Sequence, residues 1–165
     1  MKIIKTKKGD RILVDNEDFD YLNQMTWYVS SSSYAMTHRN NLLLSMQRIL
    51  MKPSKSKCVD HINHNTLDNR KVNLRVCSLS QNHWNTLKHK TNKTGYKGVS
   101  LYKRNGKYEA RIRIFGKKLW LGYFDLKKDA HEAYQKVSLV YHGKYALKSL
   151  KSQKGRRPLI QKLLT

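Results

Sequence analysis

The segment that decides the fold is Cys58-Val-Asp-His-Ile-Asn-His-Asn-Thr-Leu-Asp-Asn-Arg-Lys-Val-Asn-Leu-Arg-Val-Cys-Ser-Leu-Ser-Gln-Asn-His-Trp-Asn-Thr86. Residues 59–62 end a short strand, and residues 73–77 alternate between apolar and polar side chains as a second strand. The loop between them is rich in Asn, Asp and His. Ser78 and Gln81 have the S-x-x-Q spacing of a capping box, which opens a helix. The segment therefore predicts a strand, a loop, a second strand and a helix.

Four motifs in this segment resemble the HNH nucleases: D-H-I-N at 60–63, L-D-N-R at 67–70, N-L-R at 73–75 and S-Q-N at 80–82. Members of that family carry a ββα-metal (His-Me finger) active site. The resemblance implies that His61 is the general base that takes a proton from the attacking water. An imidazole with an ordinary pKa of about 6.5 suits that task at neutral pH. It also implies that Asn73 is the central Asn of the motif, whose side chain holds the loop.

The same resemblance implies a metal site. Asp60 and Asn82 match the metal ligands of the family, and His83 is the alternative to Asn82. Neighbouring residues on a helix point about 100° apart, so only one of these two side chains faces His61. Oxygen ligands without thiolates suit Mg²⁺ or Mn²⁺ better than Zn²⁺. At the scissile phosphate such an ion stabilises the negative charge that develops on the leaving oxygen.

Other residues of this segment have weaker assignments. Arg75 and His64 are candidates for phosphate contacts, whereas Arg70 suits a structural ion pair equally well. Cys58 and Cys77 occupy corresponding positions of the two predicted strands. We expect these cysteines to be packing residues that are close enough to cross-link on oxidation.

The first fifty residues predict a small mixed unit. Residues 2–6 and 11–14 are short β-type runs around a turn, and residues 17–24 form a helix with Phe19 and Leu22 facing inward. Strands follow at 27–29 and 33–36. Leu42–Met51 has helical spacing and ends before Pro53. Its second part resembles the helix that precedes the HNH motif, with Gln47 where the family often has His, so we assign Gln47 no chemistry.

Downstream of the segment, three alternating and aromatic-rich runs cover residues 96–102, 108–115 and 118–124. Asn105-Gly106 and Gly116-Lys117 separate them, and both pairs are hairpin signals. Residues 125–141 change to a helical period, with Asp125 as the expected N-cap. These patterns predict a three-stranded antiparallel sheet covered by one helix. Alternation places the Arg side chains at 111 and 113 on the outer face, opposite the apolar residues that pack on the helix.

This part of the chain resembles an Apetala/ethylene-response-factor DNA-binding domain in Gly95-Tyr-Lys-Gly-Val99 and Leu119-Trp-Leu-Gly-Tyr-Phe124. In that family the sheet lies in the major groove of DNA. The positions that match its DNA contacts are Lys97, Arg113, Lys118 and Trp120, with Arg111 beside them. The family often has Arg at the position of Ser100 and an acidic residue at the position of Arg111, so the base preference of plant relatives is not transferred. A β-ribbon fits the major groove, where Arg makes bidentate contacts to guanine.

Charge narrows the choice of partner. The chain has 34 Lys and Arg against 11 Asp and Glu, a formal net charge of +23. Such a charge favours a polyanion, and nucleic acid is the leading partner. No apolar run is long enough to span a membrane, and the N-terminus lacks the apolar core of a secretory signal. Two cysteines make no disulfide framework. We therefore expect a cytoplasmic protein with no membrane partner.

Together these patterns predict an α+β protein with a ββα-metal nuclease unit and a small three-stranded sheet packed on one helix. We expect an N-terminal subregion at 1–53, the HNH motif at 54–87, a linker at 88–94, the Apetala-like domain at 95–147 and a basic tail at 148–165. The leading function is a Mg²⁺- or Mn²⁺-dependent endonuclease that cuts double-stranded DNA at a recognised site. It would act as a monomer or homodimer, like the homing endonucleases of phages and mobile elements.

Two other functions compete with this one. A DNA-binding regulator with a decayed nuclease unit predicts that the base or a ligand is missing, but Asp60, His61, Asn73 and Asn82 are all present. An RNA-binding or ribosome-associated protein is compatible with the charge, but no aromatic RNA-binding motif occurs. A test for metal-dependent DNA cleavage distinguishes the endonuclease from both alternatives, because neither of them cuts DNA.

Overall fold

A computed structural model describes residues 1–147; the predicted basic tail at 148–165 lies outside the described residues. The chain forms two units, Met1–His83 and a second that begins at Trp84. Both combine helices with small antiparallel sheets, which is compatible with the predicted α+β class. Within residues 1–147, no helix is long and apolar enough to cross a membrane.

The chain up to residue 85 alternates short strands with short helices. In order, these are β1 Lys2–Lys5, β2 Arg11–Val14, α1 Asn16–Asn23, β3 Tyr28–Val29, β4 Ala35–Arg39, β5 Leu42–Ser45, α2 Met46–Met51, β6 Cys58–His61, β7 Leu74–Cys77 and α3 Leu79–Asn85. Strand β1 pairs with β2, and β6 pairs with β7. A three-stranded sheet has the order β3-β4-β5. All of these pairings are antiparallel. A short 3₁₀ turn, Lys71–Asn73, leads into β7.

The core of the first unit is built from β1, β2, α1, β4 and α2. Leu22 is fully buried and Phe19 packs against the core, as the helical spacing predicted. The indole Nε1 of Trp27 donates to the carbonyl oxygen of Leu22 at 2.8 Å, so its polar atom is satisfied inside the core. The buried members are Ile4, Ile12, Val14, Leu22, Trp27, Ala35 and Met46.

The helix predicted over Leu42–Met51 is wrong in its first half. Residues 42–45 are instead strand β5, which pairs with β4 and places His38 opposite Leu43. Asn40 and Asn41 both adopt a left-handed conformation, with φ of 49° and 60°. Asn tolerates that conformation and so makes the two-residue hairpin turn. This local turn and the strand pairing override the helical spacing of the leucines.

The second unit contains β8 Val99–Tyr102, β9 Lys107–Ile114, β10 Lys117–Phe124 and α4 Lys127–His142. The strands form an antiparallel sheet in the order β10-β9-β8. The three predicted strands and the helix are therefore present. The core combines buried Val99, Ala110 and Ala130 with four half-buried residues: Tyr96, Tyr108, Leu121 and Phe124.

Two local predictions in this unit are wrong. Leu126, not Asp125, occupies the N-cap of α4, and no side chain caps the helix there. Asp125 instead forms an ion pair with Lys107 at 3.1 Å. The turn between β9 and β10 consists of Phe115 and Gly116, because Lys117 already pairs with Ile114. The turn thus lies one residue earlier in the chain than the predicted Gly116-Lys117.

Gly98 is a position where the fold of the second unit requires glycine. Its φ is +75°, and a Cβ built there would lie 2.1 Å from Cδ2 of the buried Tyr134 ring. We expect Gly98→Ala to lower the free energy of unfolding of this unit by about 2–4 kcal/mol, because the ring must move and the backbone is strained. Urea denaturation of the full chain measures the loss.

Gly106→Ala is the matched control. Gly106 also has a positive φ of 71°, but no atom lies within 4 Å of the added Cβ. It should therefore show only the backbone strain, about 1 kcal/mol. Equal losses in the two variants would mean that contact with Tyr134 does not matter.

Candidate functional site

The candidate site is built on the β6–β7 hairpin of the first unit. His61 is the last residue of β6 and pairs with Leu74, while Asp60 pairs with Arg75. His61 is only 5% exposed, and its ring lies 5.9 Å from the ring of Tyr34 between centroids. The predicted base and the predicted carboxylate ligand are therefore consecutive residues at the end of β6, and both are buried.

Asn73 holds the two ends of the loop at residues 62–73, here called the site loop. Its Oδ1 accepts from the backbone N of Asn63 at 3.0 Å, and its Nδ2 donates to the carbonyl oxygen of Asp68 at 2.8 Å. Its own carbonyl oxygen accepts from the backbone N of Ile62 at 2.9 Å. These are the kind of bonds expected from the sequence, and they fix the chain that follows His61.

Asn69 is a candidate positioning residue that the sequence pattern did not single out. It is 0% exposed, and its Oδ1 lies 3.4 Å from Nε2 of His61. Its Nδ2 donates to the carbonyl oxygen of Thr66 at 3.3 Å, which sets the orientation of the amide, since a carbonyl oxygen only accepts. The L-D-N-R motif contained this residue, but nothing in the sequence showed that its side chain turns back to His61.

The site loop is anchored to strand β2. The backbone N of Leu13 donates to the carbonyl oxygen of Leu67, and the backbone N of Asn69 donates to that of Leu13, both at 2.8 Å. These bonds form a parallel bridge between Leu13 and Asp68. Because Asn69 belongs to this bridge, β2 determines where its side chain meets His61.

Charged groups fix the site loop at two further points. Arg70 forms a two-pronged ion pair with the buried Asp68 at 2.7 Å, and this guanidinium holds the pKa of the Asp68 carboxyl below its usual range. Lys71 donates to Glu17 at 2.7 Å and to Asp18 at 2.9 Å, both in α1. Of the two interpretations left open for Arg70, the structure shows the ion pair.

Burial controls the ionisation of His61. It lowers the pKa of the imidazole, whereas the hydrogen bond to Asn69 and the carboxylates of Asp60 and Asp68 raise it by smaller amounts. The balance keeps His61 neutral at pH 7. A neutral imidazole has a lone pair that accepts a proton, as general-base chemistry requires.

Asp60 and Arg75 form a buried ion pair. Nε and Nη2 of Arg75 both donate to Oδ2 of Asp60, at 2.8 and 2.6 Å, and the side chains are 8% and 14% exposed. The sequence predicted a phosphate contact for Arg75, but its guanidinium faces the predicted metal ligand. Since a bare buried carboxylate is costly, Arg75 stabilises the charge of Asp60 in the protein.

Helix α3 carries the other two predicted metal ligands. Its capping box is confirmed: the backbone N of Ser78 donates to Oε1 of Gln81 at 2.8 Å, and the backbone N of Gln81 donates to Oγ of Ser78 at 3.2 Å. Asn82 is half-buried on this helix, whereas His83 is exposed. The two side chains therefore have different surroundings.

The donor set fits a hard divalent ion only in part. Asp60 offers a carboxylate and Asn82 an amide oxygen, the ligand types that Mg²⁺ prefers. Across the described residues, no group of three or more His, Cys, Asp and Glu side chains is assembled to hold a metal ion. A site with one or two protein oxygens, completed by water and phosphate, is nonetheless the usual arrangement for Mg²⁺.

The two cysteines face each other across β6 and β7. Cys58 pairs with Cys77, as predicted, and their Sγ atoms lie 3.6 Å apart as free thiols. Burial raises the pKa of the Cys77 thiol to about 12. A protonated thiol is a poor metal ligand, so this pair supports the packing role expected of it.

In the second unit, four of the five predicted DNA contacts share the outer face of the sheet. Arg111 lies opposite Trp120, and Arg113 lies opposite Lys118, and all four side chains are exposed. Arg111 also forms an ion pair with Glu109 at 2.6 Å. The alternation therefore predicted this face correctly. It combines three cations with an exposed indole.

Lys97 is placed differently from those four residues. Its Nζ donates to the carbonyl oxygens of Trp84 and Thr86, both at 2.8 Å. Burial lowers the pKa of this ammonium to about 8. Lys97 thus supports the local backbone, and the outer face of the sheet does not contain it.

Comparison with known proteins bears on the first unit. Residues 53–84 match the model of the HNH endonuclease family. This HNH segment is less than half of the chain, and it contains Asp60, His61, Asn69, Asn73 and Asn82. The match supports a nuclease-like function for the segment whose geometry is described above.

Plant transcription factors are similar to about a third of the chain. An ethylene-responsive transcription factor from Arabidopsis thaliana is 41% identical over 54 residues, which are 32% of this chain and 13% of that protein. APETALA2-like protein 2 from Oryza sativa, in both the indica and japonica subspecies, is 38% identical over 48 residues, 29% of this chain and 11% of the relative. The chain thus spans only about an eighth of the length of these relatives. No solved structure matches it at a significant level.

The two comparisons differ in strength. The HNH segment supports a nuclease unit, and the plant relatives give weaker support to an Apetala-like domain. The net charge of +23 agrees with a polyanionic partner.

Proposed function

We propose that the chain is a metal-dependent DNA endonuclease of the HNH type that hydrolyses phosphodiester bonds at a recognised site, as homing endonucleases do. The observation that carries this proposal is a buried, neutral His61 at the end of β6, held by Asn69 beside Asp60, within the segment that matches the HNH model. A ββα-metal arrangement of β6, β7 and α3 is part of the proposal.

His61 is the proposed general base. An amide oxygen accepts hydrogen bonds, so Oδ1 of Asn69 selects the tautomer in which Nε2 of His61 carries the proton. The basic lone pair is then on Nδ1, which takes the proton of the attacking water. Asn73 acts on the same step through the backbone, because it fixes the chain that leaves His61.

Asp60 and Asn82 are the proposed ligands of Mg²⁺ or Mn²⁺, with His83 as the alternative to Asn82. The half-buried position of Asn82 supports it over the exposed His83. A bound ion would stabilise the negative charge of the phosphate and the leaving oxygen. A carboxylate has about four lone-pair positions, so the ion pair of Asp60 with Arg75 is compatible with this role.

The second unit is the proposed DNA anchor. Arg111, Arg113, Lys118 and Trp120 form a cationic and aromatic face of the kind that enters a major groove. Phosphate contacts position a protein on DNA, and contacts to base edges specify the sequence. The proposed partner is double-stranded DNA, bound by a monomer or homodimer in the cytoplasm.

Incubation with supercoiled plasmid tests the proposed function. Relaxed or linear DNA should form with Mg²⁺ or Mn²⁺ and should not form with EDTA. Relaxed product indicates one cut strand, and linear product indicates two. The assay should be repeated with DNA of the source organism, because a missing recognition site also prevents cutting. Binding without cleavage on both substrates would favour a DNA-binding regulator.

Substitutions at Asn69 should shift the pH dependence of cleavage in opposite directions. Asn69→Leu removes a hydrogen bond that raises the pKa of His61, so the acidic limb of the pH–rate profile should move to lower pH. The rate at neutral pH should fall about 10–100-fold, because the ring loses its orientation. Asn69→Asp keeps an acceptor and adds a negative charge, so its acidic limb should move to higher pH. Identical profiles for both variants would contradict a role for Asn69 at His61.

A further inference from the structure

Phe115 is an unusual residue for its position. It is the first residue of the two-residue turn between β9 and β10, and its φ is 48°. A bulky side chain is strained in this left-handed conformation, which favours Gly, Asn and Asp. Two other hairpin turns among the described residues have Asn40-Asn41 and Gly106 at their left-handed positions. Phe115 therefore lowers the stability of the hairpin relative to Gly, Asn or Asp at the same position.

Packing does not compensate for this strain. Phe115 is 84% exposed, the largest exposed fraction among the large apolar residues described. It does not belong to the core formed around Val99, Ala110 and Ala130. A residue that strains the backbone and buries almost nothing in the folded protein is the kind retained for a contact outside it.

The surroundings of Phe115 are cationic. β8 pairs with β9 from Lys107 to Ala110, and the backbone N of Arg111 donates to the carbonyl oxygen of Gly98 at 2.8 Å. Beyond Arg111 the β9–β10 hairpin is a two-stranded ribbon. The ribbon carries exposed Arg113, Lys117 and Lys118 on either side of the turn. An apolar tip flanked by cations on both strands matches a stacked polyanion, whose phosphates border an apolar interior.

We propose that Phe115 is a wedge that inserts at a base-pair step of double-stranded DNA. The proposal rests on the proposed function, because the second unit must reach DNA for the wedge to act. Apolar side chains that enter between base pairs unstack the step and bend the duplex. The flanking Arg113, Lys117 and Lys118 would hold the phosphates on both sides of that step.

A mismatched duplex tests the wedge without knowledge of the recognition site. A mismatched base pair at the centre of a duplex lowers the free energy needed to unstack the adjacent base-pair step. A side chain that inserts at such a step should therefore bind mismatched DNA more tightly. The full chain, in EDTA to prevent cleavage, should bind a short mixed-sequence duplex with one central mismatch about five- to tenfold more tightly than the perfect duplex. Fluorescence anisotropy of end-labelled DNA gives both affinities.

Phe115→Asn should remove this preference and improve the fold at the same time. Asn suits the left-handed turn, so the melting temperature should rise by about 2–5 °C. The two duplexes should then bind with equal affinity. A purely structural role for Phe115 predicts the opposite sign, a lower melting temperature.

Two further variants serve as matched controls. Phe115→Leu keeps an apolar side chain and should keep most of the preference. Lys117→Ala should weaken binding to both duplexes by the same factor, so the ratio of the two affinities should not change. The slope of log affinity against log salt concentration should fall by about one, as expected for one lost phosphate contact. Substitution of Phe115 by Asn should thus change the ratio of the two affinities, whereas substitution of Lys117 should lower both affinities equally.

Several results would overturn the wedge. One is a Phe115→Asn variant that still prefers the mismatched duplex as strongly as the wild type does. Another is a variant that loses this preference and also has a lower melting temperature. Phe115-dependent binding to phosphatidylserine vesicles with no effect on the DNA ratio would assign the tip to a membrane surface instead. A wild-type chain that binds neither duplex would contradict the proposed function itself, which separates that failure from failure of the wedge alone.

Discussion

His61→Ala should reduce plasmid cleavage by a factor of about 10³ or more, because loss of a general base and of its positioning act on the same step. The variant should still bind DNA, since the cationic face of the second unit is unchanged. Initial rates of supercoil loss measure the first effect, and a gel shift in EDTA measures the second.

His38→Ala is the matched control for this prediction. His38 is an exposed histidine of the same unit, stacked on Tyr28 at 5.7 Å, and its removal should leave cleavage near the wild-type rate. Added imidazole should restore part of the activity of His61→Ala, since the substitution leaves space in a buried position. Wild-type cleavage by His61→Ala would show that another group is the base.

Asp60→Asn should lower cleavage by a factor of about 10²–10³ and raise the Mg²⁺ concentration needed for half-maximal rate. The amide keeps the size of the carboxylate but loses the charge that attracts a divalent ion. A titration of rate against Mg²⁺ and Mn²⁺ measures both changes.

Arg75→Met separates the metal role of Asp60 from its structural role. The change breaks the same ion pair but keeps the carboxylate, while the Met side chain fills similar space. If Asp60 is a metal ligand, this variant should keep the wild-type metal dependence even if it is less stable. Equal loss of metal dependence in both variants would assign Asp60 to the ion pair alone.

Local rules predicted the parts of the structure that depend on neighbours in sequence. The capping box at Ser78 and Gln81 formed because both partners lie within one helical turn. Strand alternation correctly placed Arg111 and Arg113 on the outer face. The opposed cysteines followed from the matching lengths of two short strands.

The errors and omissions arise where distant residues decide the outcome. Pairing with β4 turned residues 42–45 into a strand against their helical spacing. Arg75 met Asp60 across a strand pair, a contact that residue types alone do not distinguish from a phosphate contact. Asn69 reaches His61 only because a third segment, β2, holds its backbone. Sequence patterns thus proposed candidate residues for the site, but they did not reveal the contacts that hold those residues in place.

The bridge between Leu13 and Asp68 determines how much of the chain would have to accompany the HNH segment in a transfer to another protein. Sequence comparison marks residues 53–84 as a unit, yet the loop inside that unit takes its shape from a strand near the start of the chain. A graft of the marked residues alone would carry His61 without the strand that positions Asn69 beside it. The portable module is therefore larger than the motif, and a successful transplant must include the N-terminal hairpin.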